Sequence, residues 1–311
     1  MFRMTFTVVV VLLLALSLAT APAAAQTARP SASWAATLGN DVRVVPNVTY
    51  LTANNWEATL DVYTPASAGP HPTILHIHGG GWTGGSKESV VLRLMPYLEM
   101  GFAVVNVTYR LARVSEAPAA VEDCRCALRW VIRNAKEYGL DVNRIVAMGY
   151  SAGGHLALTT GMLPASTDLD RQCPGTDTLK VAAIVNWYGV ADVVDLLEGP
   201  NTRNYAVQWL GSRPDRNDVA RRLSPLTYVR RDLPPILTIH GDADPTVPYT
   251  HATRLQEALA QAGAMSELVT IPGGRHGGFP TAQQMRAVDA VRSCLAKHGL
   301  MPKAAAVSAQ P

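Results

Sequence analysis

Ile145-Val146-Ala147-Met148-Gly149-Tyr150-Ser151-Ala152-Gly153-Gly154-His155-Leu156-Ala157-Leu158 is the stretch on which the architecture turns. Ile145 to Gly149 is a short apolar run of strand type, and Ala152 to Met162 has the composition of a helix. Only Tyr150 and Ser151 lie between them. A change of direction that abrupt forces Ser151 into a strained backbone. It also requires Gly149 and Gly153, which lack a Cβ, where strand and helix nearly touch. Ser151 Oγ is then presented at a helix N-terminus, where negative charge is favoured.

Outward from this turn, strands and helices alternate. Val42 to Leu51 and Trp56 to Tyr63 read as an antiparallel pair around Thr52-Ala53-Asn54-Asn55. Strands follow at Thr73 to His78, Phe102 to Tyr109, Val181 to Trp187, Pro235 to His240 and Glu267 to Ile271. Helices are predicted over Lys87 to Met100, Pro118 to Tyr138, Tyr249 to Ala262 and Thr281 to His298. This alternation requires a mainly parallel central sheet with helices on both faces, an α/β class. Continuous apolar runs such as Ile184-Val185 and Ile236-Leu237 suit strands buried on both sides. Ala191 to Leu233 contains no strand and is expected to form a small cap insertion, with Tyr205, Trp209 and Leu210 covering core or lining a pocket.

Functional groups in such sheets gather at the carboxyl ends of the strands, and three more ends carry chemistry. His78-Gly79-Gly80-Gly81-Trp82 can turn several amides toward one point, which acyl transfer needs as charge builds on the carbonyl oxygen. The amides of Gly80, Gly81 and Ala152 are assigned as these donors. A phosphate loop is set aside, because neither Walker spacing nor GxGxxG is present. His240 to Pro248 offers Asp242 and Asp244 as a carboxylate to orient a histidine. Gly273-Gly274-Arg275-His276-Gly277-Gly278 leaves His276 free to act as general base. The order Ser, Asp, His along the chain is the hydrolase order. Trp82, Trp187 and Tyr188 adjoin these loops and are candidates to flank a substrate ring.

Composition limits the alternatives. The 311 residues are 48% hydrophobic and 16% charged, so disorder over most of the length is excluded. A net charge of +3 without a dense basic run argues against a nucleic-acid partner. At the start, Arg3, the apolar run Val8 to Leu18 and Ala23-Ala24-Ala25 read as a signal peptide over residues 1–25. That run is short of the ~20 residues a membrane span needs. A secreted or periplasmic protein without a membrane anchor after cleavage is therefore expected. Residues 26–41 form a leader, 42–300 the folded domain with its cap at 191–233, and 301–311 a flexible tail. Cys124, Cys126, Cys173 and Cys294 lack the histidines of a zinc site, and His76 and His78 lack a third ligand, so no metal is expected. Cys124 lies on an apolar helical stripe. Cys126 is expected to pair with Cys173, in the polar loop after the Ser151 helix, while Cys294 belongs to the opposite face.

With these residues in place the chain resembles the α/β-hydrolases, and more narrowly the secreted esterases grouped as bifunctional feruloyl/acetyl-xylan esterase-like. The likeness spans nearly the whole chain after residue 25 and is most specific over His78 to Lys87, Ala120 to Leu156 and His240 to Pro248. It implies an α/β-hydrolase fold, with Ser151 of GxSxGG as nucleophile, His276 as base and Asp244 of HGxxDxxVP, in preference to Asp242, as acid. It also implies hydrolysis of short acyl esters, acetyl or feruloyl, of small molecules or carbohydrates, with no cofactor. Tyr109 to Ala112 is shared with hormone-sensitive-lipase-like esterases, although Arg113 stands where those commonly have Pro. Kynurenine formamidases share HGGxW but act inside cells. Prolyl-oligopeptidase-type peptidases normally carry a large N-terminal propeller, and non-catalytic hydrolase-fold binding modules usually lose a triad member.

Overall fold

The structure, a computed structural model, describes residues 39–302. The signal-peptide reading, nearly all of the leader and the tail beyond Pro302 lie outside the described residues. Eight strands form one sheet: β1 Val42–Ala53, β2 Trp56–Pro65, β3 His71–Ile77, β4 Ala103–Val107, β5 Leu140–Tyr150, β6 Ala183–Trp187, β7 Ile236–Gly241 and β8 Ser266–Ile271. Their order is β1-β2-β4-β3-β5-β6-β7-β8, antiparallel from β1 to β4 and parallel from β4 to β8. Every residue of β3, β4, β6 and β7 is buried, as continuous apolar runs demand. β1, at one edge, is mostly exposed and alternates only in its second half.

The principal helices are α1 Val91–Glu99, α2 Ala119–Tyr138, α3 Ala152–Met162, α4 Asn204–Leu210, α5 Arg216–Arg222, α6 Thr250–Gln261 and α7 Thr281–Lys297. They divide between two apolar cores. Leu94, Tyr97 and Leu98 of α1 join Ala287, Val291 and Cys294 of α7 in one. Residues of α2, α3 and α6, among them Cys124, Leu128, Leu156 and Leu255, form the other. This is the two-faced arrangement that the strand–helix alternation requires.

Two boundaries differ from the sequence expectation by more than two residues. The helix predicted from Lys87 begins only at Val91, after a single 3₁₀ turn at Glu88–Val90. The Lys87 side chain reaches into the sheet: its buried ammonium pairs with Asp61 at 2.8 Å and donates to the Asn47 side chain at 2.8 Å. The Lys87 carbonyl accepts from the Asn106 side-chain Nδ2 at 2.8 Å. The Lys87 backbone itself keeps helical angles, φ −61° and ψ −32°, and leads into the 3₁₀ turn, while its side chain is tied to the sheet. Conversely, β5 starts five residues before Ile145, because Leu140 and Asp141 pair with His71 and Pro72 before the register shifts. The polar residues Asp141 to Arg144 conceal that early pairing in the sequence.

Between β6 and β7 the expected cap is a set of short helices and turns with no strand. Val193, Leu196, Trp209, Leu210, Ala220 and Leu223 are all part of the α3-side core. The segment is thus packed onto the domain as a fixed wall.

Beneath the loops, Arg110 and Asp123 form a buried fork. The guanidinium donates to both carboxylate oxygens, at 2.6 to 3.0 Å, and the Arg110 amide donates to the same group at 2.7 Å. This joins the exit of β4 to the N-terminal part of α2, which is what a bidentate pair does best.

Cys126 and Cys173 are disulfide-bonded, closing a loop of sequence separation 47, whereas Cys124 and Cys294 are free and buried. The bond ties α2 to the segment after α3, where Arg129 also pairs with Asp170 at 2.8 Å. A loop of that length is worth about 4 kcal/mol in the chain-entropy account. Reduction, or Cys173→Ser, is therefore expected to lower the denaturant midpoint by the equivalent of about 2–4 kcal/mol. Equilibrium unfolding with and without reductant checks this, and an unchanged midpoint would contradict it.

Candidate active site

The turn after β5 has the form its glycines imply. Ser151 lies at φ 58°, ψ −121°, outside the usual range for a residue with a side chain. Such a conformation costs about 1–3 kcal/mol and persists only where its surroundings enforce it. A Cβ on Gly149 would lie 2.3 Å from the Gly153 carbonyl oxygen, and one on Gly153 would lie 2.1 Å from that of Ile77. Strand, turn and helix are therefore locked at glycine-only distances. The Ser151 amide donates to the Trp187 carbonyl at 2.8 Å, and its carbonyl accepts from His155 at 3.0 Å.

His276 reaches this serine from the loop after β8. Its Nε2 lies 2.8 Å from Ser151 Oγ and its Nδ1 lies 2.6 Å from Asp244 Oδ2. The two oxygens of Asp244 have separate tasks. Oδ1 accepts the amides of Thr246 and Val247 at 2.7 and 3.0 Å, which fixes the turn. Oδ2 faces His276 and lies 3.3 Å from His240 Nε2. Burial alone would raise the Asp244 pKa. Hydrogen bonds from His240, His276 and the Thr246 amide outweigh it and hold the carboxyl below the usual carboxylate range. Asp244 is thus ionised at neutral pH. Because its folded pKa is depressed, the stability it contributes is present above the ordinary carboxylate pKa and is lost as pH falls toward the lower folded value.

Asp242, the other sequence candidate, is exposed and serves the backbone. Its carboxylate accepts the Gly273 amide at 2.6 Å, while its own amide donates to Ile271 and that of Ala243 donates to Gly274. These bonds hold the β7 loop to the loop carrying His276, so Asp242 braces what Asp244 orients.

The glycine loop after β3 faces the same serine. Gly80 and Gly81 have φ of 122° and 59°, and a Cβ on Gly80 would collide with the Gly84 carbonyl oxygen at 2.1 Å. The amides of Gly80, Gly81 and Ala152 donate to no protein acceptor among the described residues. The loop is held from beneath. Tyr109 Oη donates to the His78 carbonyl at 3.1 Å, and the Ala112 amide donates to the Trp82 carbonyl at 2.9 Å. Burial lowers the pKa of both His76 and His78 to about 4, so they act as neutral hydrogen-bonding core residues.

A cavity of about 560 Å³ opens above Ser151, with Gly80, Gly81, Arg93, Tyr188, Tyr205 and His276 among its walls. Two aromatic expectations need correction here. Trp82 and Trp187 are 0% exposed and do not line this cavity. Trp82 stacks on Trp209 with ring centroids 4.2 Å apart and donates its indole N–H to His155 Nδ1 at 3.2 Å. The other His155 nitrogen then donates to the Leu223 carbonyl at 2.7 Å. An indole whose polar hydrogen finds an acceptor inside has no reason to face outward. Trp187 packs on Tyr150 in the opposite core. Tyr188 does reach the cavity, with its ring 4.8 Å from that of His276. Tyr205 is the cap residue that does so, donating its hydroxyl to the Thr246 carbonyl at 3.0 Å.

Sequence reasoning missed His240 and Arg93. His240 was legible as the residue four before Asp244. Arg93 stands on an ordinary amphipathic helix, and nothing in its sequence context marks it.

The BD-FAE family profile matches residues 60–259. Among curated relatives, esterase LipQ of Mycobacterium tuberculosis is 28% identical over 240 residues, covering 74% of this chain and 56% of that protein. The chain spans about half the length of the first curated relatives it matches. Among solved structures, the Thermogutta terrifontis esterase with bound propionate superposes at a TM-score of 0.70 with 27% identity, covering 84% of this chain and 96% of that one. A truncated carbohydrate esterase from gut microbiota gives 0.69 and 26%, with 81% and 96% covered. The sheet order and helix layers described above are those of the α/β-hydrolase fold.

The geometry separates the two aspartates experimentally. Labelling of Ser151 by a fluorophosphonate is expected to slow by about 10⁴ in Asp244→Asn, because the wrong histidine tautomer can no longer accept the serine proton. Asp242→Asn is expected to change it by less than about tenfold, since only a backbone brace is weakened. Time-resolved intact-mass measurements read both rates, and equal slowing would reject the division of roles.

Proposed function

The chain belongs to the BD-FAE family, and from that premise we propose that it is a serine carboxylic ester hydrolase for short-chain acyl esters of small molecules or carbohydrates. Acetyl is the foremost acyl group and feruloyl a second. The observation that carries the reading is the continuous chain Ser151 Oγ, His276, Asp244, joined at 2.8 and 2.6 Å on the floor of an open cavity.

In the proposed reaction Ser151 Oγ attacks the ester carbonyl as its proton passes to His276 Nε2. Ionised Asp244 holds the Nδ1 proton in place and stabilises the imidazolium. The amides of Gly80, Gly81 and Ala152 receive the oxyanion. His276 returns the proton to the departing alcohol, and water, activated by the same histidine, cleaves the acyl-enzyme.

The walls support a small acyl group. The Tyr205 side chain crowds Gly81, where a Cβ would lie 2.8 Å from Tyr205 Cβ. Apolar lining is limited largely to Val90 and three tyrosine rings. A propionate-bound neighbour and a carbohydrate esterase neighbour support a short acyl group on a sugar. Tyr150, Tyr188 and Tyr205 supply aromatic surface for a feruloyl group.

Export from the cytoplasm is part of the proposal, resting on the N-terminal segment and supported by the Cys126–Cys173 bond. The exported protein is expected to begin after Ala25 by mass spectrometry. Full-length protein retained in the cytoplasm would overturn this element.

Ser151→Ala is expected to reduce kcat on an aryl acetate by about 10⁴–10⁶, with thermal unfolding nearly unchanged. In the unaltered protein, kcat/KM across aryl esters from acetyl to palmitoyl is expected to fall gradually. Each methylene is worth only about 1–3 kcal/mol in a hydrophobic pocket. A maximum at palmitoyl, or faster turnover of N-formylkynurenine than of any ester, would replace the proposed substrate class.

A further inference from the structure

One residue gives the cavity above Ser151 a chemical sign. Arg93, on α1, is the only Lys, Arg, Asp or Glu among the lining residues. Its guanidinium is oriented by two contacts. The Cζ atom lies 4.7 Å from the Tyr150 ring centroid, over its face, and Nη1 donates to Tyr188 Oη at 3.1 Å. Both tyrosines adjoin the reacting pair: Tyr150 precedes Ser151, and the Tyr188 ring packs against that of His276. A guanidinium has five N–H donors, and the Tyr188 hydroxyl is its single protein acceptor among the described residues. No carboxylate pairs with it there. Arg93 also forms part of the wall of a second cavity of about 460 Å³, but Glu99, Asp289 and Arg292 give that one both signs of charge. On the Ser151 side Arg93 is the one formally charged lining residue, while the Asp244 carboxylate stands behind His276 and is taken up by its own hydrogen bonds.

We propose that Arg93 is a specificity-determining subsite for a carboxylate carried by the ester substrate, an inference that rests on the esterase reading above. A planar cation with free paired donors matches a carboxylate edge to edge. One cation without a second suits a monoanion better than a phosphate dianion. Packing on Tyr150 leaves the guanidinium pre-oriented, so little rotamer freedom remains to be lost when the carboxylate arrives. The carboxylate can belong to the acyl group, as in a half-ester of a dicarboxylic acid, or to the alcohol, as in an acylated sugar acid or hydroxy acid.

Two substrate pairs distinguish these sources. On the alcohol side, 4-acetoxybenzoate is compared with its methyl ester; on the acyl side, mono-4-nitrophenyl succinate is compared with 4-nitrophenyl methyl succinate. The quantity read is the anionic-to-neutral ratio of kcat/KM in the unaltered protein, divided by the same ratio in Arg93→Gln. A quotient of about five to ten in one arm is expected, as a charge-assisted contact at a partly exposed site would produce. The arm in which it appears locates the carboxylate. Most of the effect should reside in KM, Arg93→Lys should restore part of it, and salt on the order of 0.5 M should shrink it in the unaltered protein. A quotient of one in both arms, with the neutral esters still hydrolysed, overturns the subsite and leaves the esterase reading intact. If Arg93 merely props Tyr188, both members of each pair slow alike and the quotient is again one. Absence of turnover on all four esters would instead reject the esterase reading itself.

Discussion

The left-handed backbone at Ser151 sets the terms for everything around it. A residue with a side chain avoids that region unless its neighbours leave no alternative. Here the carbonyls of Ile77 and Gly153 press on positions where only glycine fits, so β3, β5 and α3 meet more closely than side chains would allow. The Ser151 amide is satisfied by Trp187 of β6 and its carbonyl by the first turn of α3. Three strands and one helix thus share the cost of a conformation worth about 1–3 kcal/mol. In return the hydroxyl projects beside the unbonded amides that begin the helix.

The remaining groups are brought to that serine by loops that are bonded to each other and do not depend on their own rigidity. The turns after β7 and β8 are joined through Asp242, Ala243, Gly273 and Gly274, so Asp244 and His276 approach as one unit. His240 closes the unit from below by reaching both Asp244 and the Val247 carbonyl. Around it, burial keeps His76, His78 and His155 neutral, with pKa values near 4. The charge that remains at the centre is the single carboxylate of Asp244, balanced by hydrogen bonds and not by a fixed cation. His276 is the side chain that meets the carboxylate's free oxygen on the Ser151 side.

The aromatic residues around the cavity divide into a buried set and a lining set. Trp82, Trp209 and His155 form an interlocked set that fastens the glycine loop and the insertion between β6 and β7 to α3. Tyr150, Tyr188 and Tyr205 are left to face the cavity, each with its hydroxyl or ring against a neighbouring group. Because the insertion shares the main core, the cavity has a shape before any ligand arrives. Arg93 enters this wall from the other face of the sheet, which is how a helix remote in sequence comes to influence what Ser151 meets.

Local chemistry explains how much was legible in advance. The strand order of events along the chain, the glycine-flanked serine, the loop glycines and the histidine between glycines each depend on a few adjacent residues, and a sequence displays those directly. The pairing of Cys126 with Cys173 was also within reach, since helix phase and loop position restrict it. Other features depend on contacts between distant segments. Asp242 and Asp244 are two residues apart and carry the same side chain; family likeness favoured Asp244, and the paths of two loops are what bring it, and not Asp242, to His276. Trp82 and Trp187 look alike from the sequence as loop-side aromatics. Their burial follows from partners at Trp209, His155 and Tyr150 that no local pattern specifies. The burial of the Lys87 ammonium against Asp61, on β2, is likewise a contact between distant segments that helical spacing does not reveal. Periodicity and turn residues, which act over a few residues, were determined by the sequence alone. Side-chain facing, charge pairing and the choice between neighbouring candidates were decided by tertiary structure, because burial and hydrogen-bond partners are properties of the assembled chain.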